Sequence, residues 1–140
     1  MSEIVSGIDS DNNVRLNVEI QGLYKDTPYG GIVDTGFSGG IVIPLVTAVD
    51  IGLEKVGASS VTLADGSVQI LPTFLSQVKI GNKIHDATTL ILGSEVLIGM
   101  ELLHDYRFCM SPVTGEVIIE EWESIARLND FTETLKRLGG

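Results

Sequence analysis

Cysteine is nearly missing from this chain: Cys109 stands alone among 140 residues. A single thiol forms no intramolecular disulfide, which excludes the disulfide-stapled secreted scaffolds and leads us to expect a reducing, cytoplasmic setting. Cys109 falls within an apolar run and reads as a buried, inert thiol. Long hydrophobic runs are also missing, and none approaches the roughly 20 residues that a membrane helix requires. The amino terminus, Met1-Ser2-Glu3-Ile4-Val5-Ser6, has neither a basic patch nor a long apolar core, so no secretory signal is expected. Basic charge is scarce: nine Lys plus Arg face nineteen Asp plus Glu, for a net charge of −10. That sign repels nucleic acid and anionic lipid, and neither is an expected partner. The two histidines, His85 and His104, each precede an aspartate, but their spacing is not that of a zinc site. Both pairs read as solvated or capping groups, and no metal is expected. There is no Gly-Lys-Ser or Gly-Lys-Thr phosphate loop and no serine in a nucleophile elbow.

What is present suits one β-rich domain. Apolar residues make up 44 % of the chain and charged residues 20 %, enough for a packed core at this length. Val14, Leu16, Val18 and Ile20 alternate with polar neighbours, as in a half-buried strand. Strands are expected at 29–35, 41–43, 73–80 and 83–92, with Gly81-Asn82 as a tight connection. Pro44 to Ile51 reads as one or two helical turns opened by proline. Ser60 to Ile70 reads as a hairpin with Asp65-Gly66 as a two-residue turn, and 106–110 with 116–120 as a last hairpin. Beyond Glu120 the character changes. Ile125, Leu128, Phe131, Leu135 and Leu138 recur at helical steps, and Asp130 with Glu133 resembles a capping box that restarts a helix at Phe131. Packing on its own barrel is the expected role of this stripe, with contact to a second subunit as the alternative. The expected organisation is a flexible segment 1–13, a β domain over 14–120 and an amphipathic helical tail over 121–140.

The most informative stretch is Gly31-Ile32-Val33-Asp34-Thr35-Gly36-Phe37-Ser38-Gly39-Gly40. A short apolar strand delivers a carboxylate into a loop of small residues, where glycine allows a tight turn and close approach. A second apolar strand, Ile41-Val42-Ile43, follows the loop, and Leu97-Ile98-Gly99 comes about sixty residues after Asp34. The order of acid loop, glycine-tipped hairpin and apolar-apolar-Gly resembles the retropepsin-like aspartic proteases of clan AA, single-domain relatives of pepsin. The Asp-Thr-Gly-Phe-Ser form is most similar to small prokaryotic members of that group.

The resemblance implies an all-β, retropepsin-like acid protease barrel, equivalent to one pepsin-like lobe, with a short internal helix and a helical tail. It also implies an aspartic endopeptidase that needs no metal or organic cofactor. Carboxylate-driven peptide hydrolysis takes two acids, one accepting a proton from water and one donating to the carbonyl oxygen. Asp34 is the only acid in such a loop, so the resemblance implies a homodimer with one Asp34 from each copy. Thr35 would fix the opposite loop, Gly36 would donate its N–H to the carboxylate, and Ser38 would bond the outer oxygen of Asp34. Ala64, Asp65, Gly66 and Ser67 would tip a mobile flap over an extended peptide substrate. Ile32, Leu63, Val68 and Ile98 would line the substrate site, and Leu97, Ile98 and Gly99 would brace the acid loop. Phe37 stands where retropepsins commonly carry alanine, which makes the loop bulkier on one side. The competing reading is a retropepsin-like dimerisation or peptide-binding module with weak or lost chemistry. A monomeric ligand-binding barrel would leave the three motifs unexplained.

Overall fold

The computed structural model describes residues 6–138, with the side chains of 123–129 outside the description. The chain runs β1 (Ser6–Ile8), β2 (Val14–Gln21), β3 (Asp26–Val33), β4 (Ile41–Ile43), α1 (Leu45–Ile51), β5 (Glu54–Thr62), β6 (Val68–Ile80), β7 (Lys83–Ile91), β8 (Leu97–Ile98), α2 (Met100–Leu103), β9 (Tyr106–Ser111), β10 (Glu116–Glu121) and α3 (Trp122–Arg137). This is the all-β architecture expected from the alternation, with short helices between strands and a helical tail.

The main sheet has the order β1-β2-β3-β8-β4-β7-β6-β5, and an extra pairing of β2 with β6 closes six of these strands on themselves. One edge of β2 is shared: Val14–Leu16 pairs with β1, while Glu19–Gln21 pairs with β6. Closure removes the unpaired edges of those strands. The side chains that alternate inward fill the ring: Leu16, Val18 and Ile20 from β2, Ile41 and Ile43 from β4, Val78 and Ile80 from β6. Each such aliphatic side chain stabilises the fold by roughly 1.5–3 kcal/mol relative to an exposed position. The buried hydroxyls are paired. Thr89 donates to the Ala87 carbonyl at 3.0 Å, which leaves the Ser76 hydroxyl to donate to Thr89 Oγ1 at 2.6 Å.

β8 is the feature that positions the site. It lies between β3, which it meets in parallel, and β4, which it meets antiparallel. A strand from late in the chain is thereby threaded between two early ones, and the β3–β4 loop sits directly over its end. Gly31 makes the packing possible, since a Cβ there would stand 2.7 Å from Ile98 Cδ1.

β5 and the first half of β6 extend beyond the barrel as a two-stranded arm, paired from Ala58↔Pro72 out to Thr62↔Val68. Its tip differs from the expected two-residue turn. Gly66 N–H donates to Leu63 O at 2.9 Å and Leu63 N–H to Ser67 O at 2.8 Å, so three residues, 64–66, form the loop. Gly66 takes φ +85°, the left-handed position that ends a three-residue hairpin loop. Asp65 Oδ1 holds the turn by accepting both the N–H and the hydroxyl of Ser67, bonds that draw its carboxyl below the usual range.

Other differences have local causes. The expected flexible segment already contains structure: β1 begins at Ser6 and pairs with β2, while residues 1–5 lie outside the description. Asp9 organises the β1–β2 turn by accepting the N–H groups of Asp11 and Asn13 and pairing with Arg15 Nε at 2.7 Å. α3 is continuous from Trp122, with no restart at Phe131; the capping-box pattern at Asp130 lies inside it, where the Asp130 carbonyl accepts the Thr134 hydroxyl. Its expected packing on the barrel does not extend to the distal half, where every residue from 130 to 138 is exposed. Ile125 and Leu128 lie outside the described side chains. Cys109 is exposed, not buried, because its pairing opposite Ile118 in the β9–β10 ribbon sets it on the face away from Phe108 and Ile119. Among the described residues no helix is long and apolar enough to cross a membrane.

Candidate active site

Asp34 is the first residue beyond β3. Its backbone N–H donates to Ile98 O at 2.9 Å, and Ile32 N–H donates to Val96 O at 2.8 Å, so the β3–β8 ladder runs up to the acid. The chain then turns sharply, with Phe37 N–H donating to Asp34 O at 3.1 Å. Gly36 N–H, two residues on, donates to Asp34 Oδ1 at 3.0 Å and orients the carboxylate. Asp34 is half-buried, and the neighbouring Thr35, Gly36 and Ser38 are exposed.

The start of α2 grips this loop. The first N–H groups of a helix have no partner within it. Here Gly99, Met100 and Glu101 donate theirs to the carbonyls of Gly40 (2.8 Å), Phe37 (2.8 Å) and Gly39 (3.1 Å). The glycines are what allow the approach. A Cβ on Gly99 would lie 2.1 Å from the Gly39 oxygen, and one on Gly40 would lie 2.6 Å from the Thr88 oxygen. Glu101 completes the bracing by accepting the Thr88 N–H at 3.1 Å. The Phe37 ring spans the junction, so close that a Cβ on Gly39 would meet it at 2.5 Å and one on Gly99 at 2.6 Å. The sequence reading gave Leu97-Ile98-Gly99 a bracing position, and that is where the segment lies. The close approach expected of Gly39 and Gly40 is also made, while the role of Glu101 was not anticipated; an acid in the first turn of α2 was the available signal for it.

The other expected site residues divide. Gly36 has the anticipated bond. Neither the Thr35 nor the Ser38 hydroxyl bonds Asp34 among the described residues, so the expected Ser38 contact is not made within one chain. Ile98 is not a substrate-facing residue. Its side chain is 0 % exposed and packs on Gly31, because it belongs to the hydrophobic core. Ile32 is half-buried. In the arm, directly paired residues share a face. Leu63 therefore shares a face with Val61, Ser59 and Leu71, all half-buried, while Val68 lies on the opposite face with Ile70 and Pro72, all exposed. Val68, 62 % exposed, therefore does not share a wall with Leu63, whose face carries Val61 and Leu71.

Other chemistry lies elsewhere. His104 is exposed beside Asp105, as expected of a solvated pair, whereas His85 is not solvated. His85 is largely covered and sits against Tyr106, whose hydroxyl donates to Ile80 O at 3.3 Å and accepts from His85 Nε2 at 2.6 Å. Burial, helped by Lys83, lowers the His85 pKa and favours the neutral ring; burial also raises that of Tyr106. An apolar groove of about 400 Å³ at the base of the arm is lined by Tyr24, Leu45, Val49, Phe74 and Ile91 and contains no acid or nucleophile. Among the described residues no cluster of His, Cys, Asp and Glu could hold a metal.

The profile of an aspartyl protease family matches residues 16–102, more than half of the chain. No curated protein matches it. The matched span contains β8, the arm and the Asp34 loop braced by α2, and on that match the chain belongs to the aspartyl protease family of the retropepsin-like clan.

Proposed function

We propose that this protein is an aspartic endopeptidase that works as a two-fold homodimer, with Asp34 of each copy forming one dyad. The observation that carries the reading is the state of Asp34. It is anchored at its backbone and oriented by Gly36, and no second carboxyl bonds it among the described residues. One chain holds half of the chemistry. Two carboxyls in contact share a proton, as is general for aspartic proteases, so one is a base and the other an acid at once. A water between them loses a proton to the carboxylate as its oxygen bonds to the peptide carbon, and the protonated partner donates to the carbonyl oxygen. The C–N bond then breaks as a proton passes to the leaving nitrogen.

In this reading the exposed hydroxyls of Thr35 and Ser38 meet the partner's loop. The arm serves as the flap, its inner residues Val61, Leu63 and Leu71 closing over an extended peptide whose other side meets Ile32. Apolar side chains near the cut are favoured. The lone exposed thiol of Cys109 fits a reducing compartment, the cytoplasm, better than an oxidising one.

The test is cleavage of a mixed peptide library from acid to neutral pH by this chain and by Asp34→Asn. The expected result is cleavage that disappears in the variant and rises more steeply than linearly with dilute protein. Equal cleavage by both chains overturns the assignment of Asp34. A dimer that cleaves nothing at any pH supports the binding-module reading instead.

A further inference from the structure

We infer that the helical tail α3 is a self-association element, and that its Phe131–Leu135–Leu138 face packs against the same face of a second copy about the two-fold axis. This rests on the dimer reading above and names the surface that holds the dimer together. Phe131, Leu135 and Leu138 lie at i, i+4 and i+7, on one side of the helix, and are 62, 48 and 78 % exposed. They belong to the stretch 130–138, in which no residue is covered by the rest of the chain. A helix of this length is marginal in water unless its apolar face is packed. In sequence, Leu128, Phe131, Leu135 and Leu138 follow the alternating three- and four-residue steps of a two-stranded coiled-coil seam.

Charge identifies the occupant. Within α3, Glu123, Asp130 and Glu133 are balanced by Arg127, Lys136 and Arg137, so the chain's whole net charge of −10 lies outside the helix. A second copy is repelled less at a charge-balanced surface of this kind than at an acidic one. The positions flanking the seam are Arg127, Thr132 and Thr134, which place no facing acids against each other when the helix meets its own copy. The described acid and base of the last turns, Glu133 and Lys136, pair with each other at 3.6 Å. The helix also starts near the site: Trp122 N–H donates to Asp105 O at 2.9 Å, two residues beyond the end of α2, which braces the Asp34 loop.

The experiment is sedimentation equilibrium of the full chain, of Phe131→Glu/Leu135→Glu, and of Lys136→Gln. The last changes charge by the same amount as one of those substitutions, but on the side of the helix away from the seam. Because the substituted side chains are exposed in the single chain, folding is checked by unchanged thermal unfolding of the barrel. The expected result is a dimeric parent and a dimeric Lys136→Gln, with the dimer dissociation constant of the double variant raised about a hundredfold, roughly tenfold for each substituted position. Catalysis by the double variant should be recovered at high protein concentration. A double variant that stays as dimeric as the parent overturns the inference while leaving the dyad reading intact. A parent that is monomeric at every concentration overturns both.

Discussion

At the scale of single residues, the acid loop depends on absent side chains as much as on Asp34. Gly39 and Gly99 both crowd the Phe37 ring, but for different reasons. A methyl on Gly39 meets the far end of the ring at 2.5 Å, whereas a methyl on Gly99 meets the Gly39 carbonyl at 2.1 Å, a backbone atom that cannot move aside. Gly39→Ala should therefore cost about 1–3 kcal/mol of stability in the parent, typical of overpacking, and much less in a Phe37→Ala background. Gly99→Ala should remain costly in both. Urea unfolding of the three single and two double variants reads this directly. If Gly39→Ala costs the same with and without the ring, the clasp does not exist. Phe37 was legible in the sequence as a bulky departure from the usual alanine, but not its target. A ring's neighbours depend on which distant segment is threaded beneath it, and the β8–α2 junction is about sixty residues away.

At the scale of elements, alternation and turn chemistry revealed most strands to within a few residues, because burial on one face imposes a period of two. Ile41–Ile43 appears at the expected bounds, and β2 and the last hairpin within one residue. The missing information was which faces were covered. Cys109 and Ile98 were misassigned, and the stripe of α3 was left between two roles, for that reason: an apolar residue looks alike whether it meets the core, the substrate or another chain. The arm provides a test at this scale. Val61→Ser and Leu71→Ser change its inner face, and Val68→Ser and Ile70→Ser its outer face, with the tip and the barrel untouched. The inner pair should each lower kcat/KM by about tenfold or more, the usual effect of losing an apolar contact to substrate, and the outer pair should leave it near the parent value. All four should keep the parent unfolding temperature, since the arm lies outside the core. Equal effects from both faces would mean that the arm does not close over the substrate in this orientation.

At the scale of the whole molecule, the balance is between a missing acid and an excess of acids. The proposed dyad needs two copies of Asp34 within contact, yet each copy carries −10 and a pair carries twice that. Self-repulsion of this kind is long-ranged in dilute buffer and short-ranged in salt, the screening length falling from about 30 Å at 0.01 M to about 8 Å at 0.15 M. An apolar, charge-balanced contact through α3 loses little when ions are added, because there is little attraction to screen. Adding salt should therefore remove mainly the repulsive part, tightening the dimer and lowering the protein concentration at which activity is half-maximal. Lowering the pH into the range where exposed carboxylates titrate should act in the same direction until the shared proton of the dyad is itself disturbed. Sedimentation of the inactive Asp34→Asn chain at low and high salt isolates the association from the chemistry. A dimer that loosens as salt rises would have to be held by ion pairs across its interface, and neither the neutral seam nor the apolar face of α3 would then explain it.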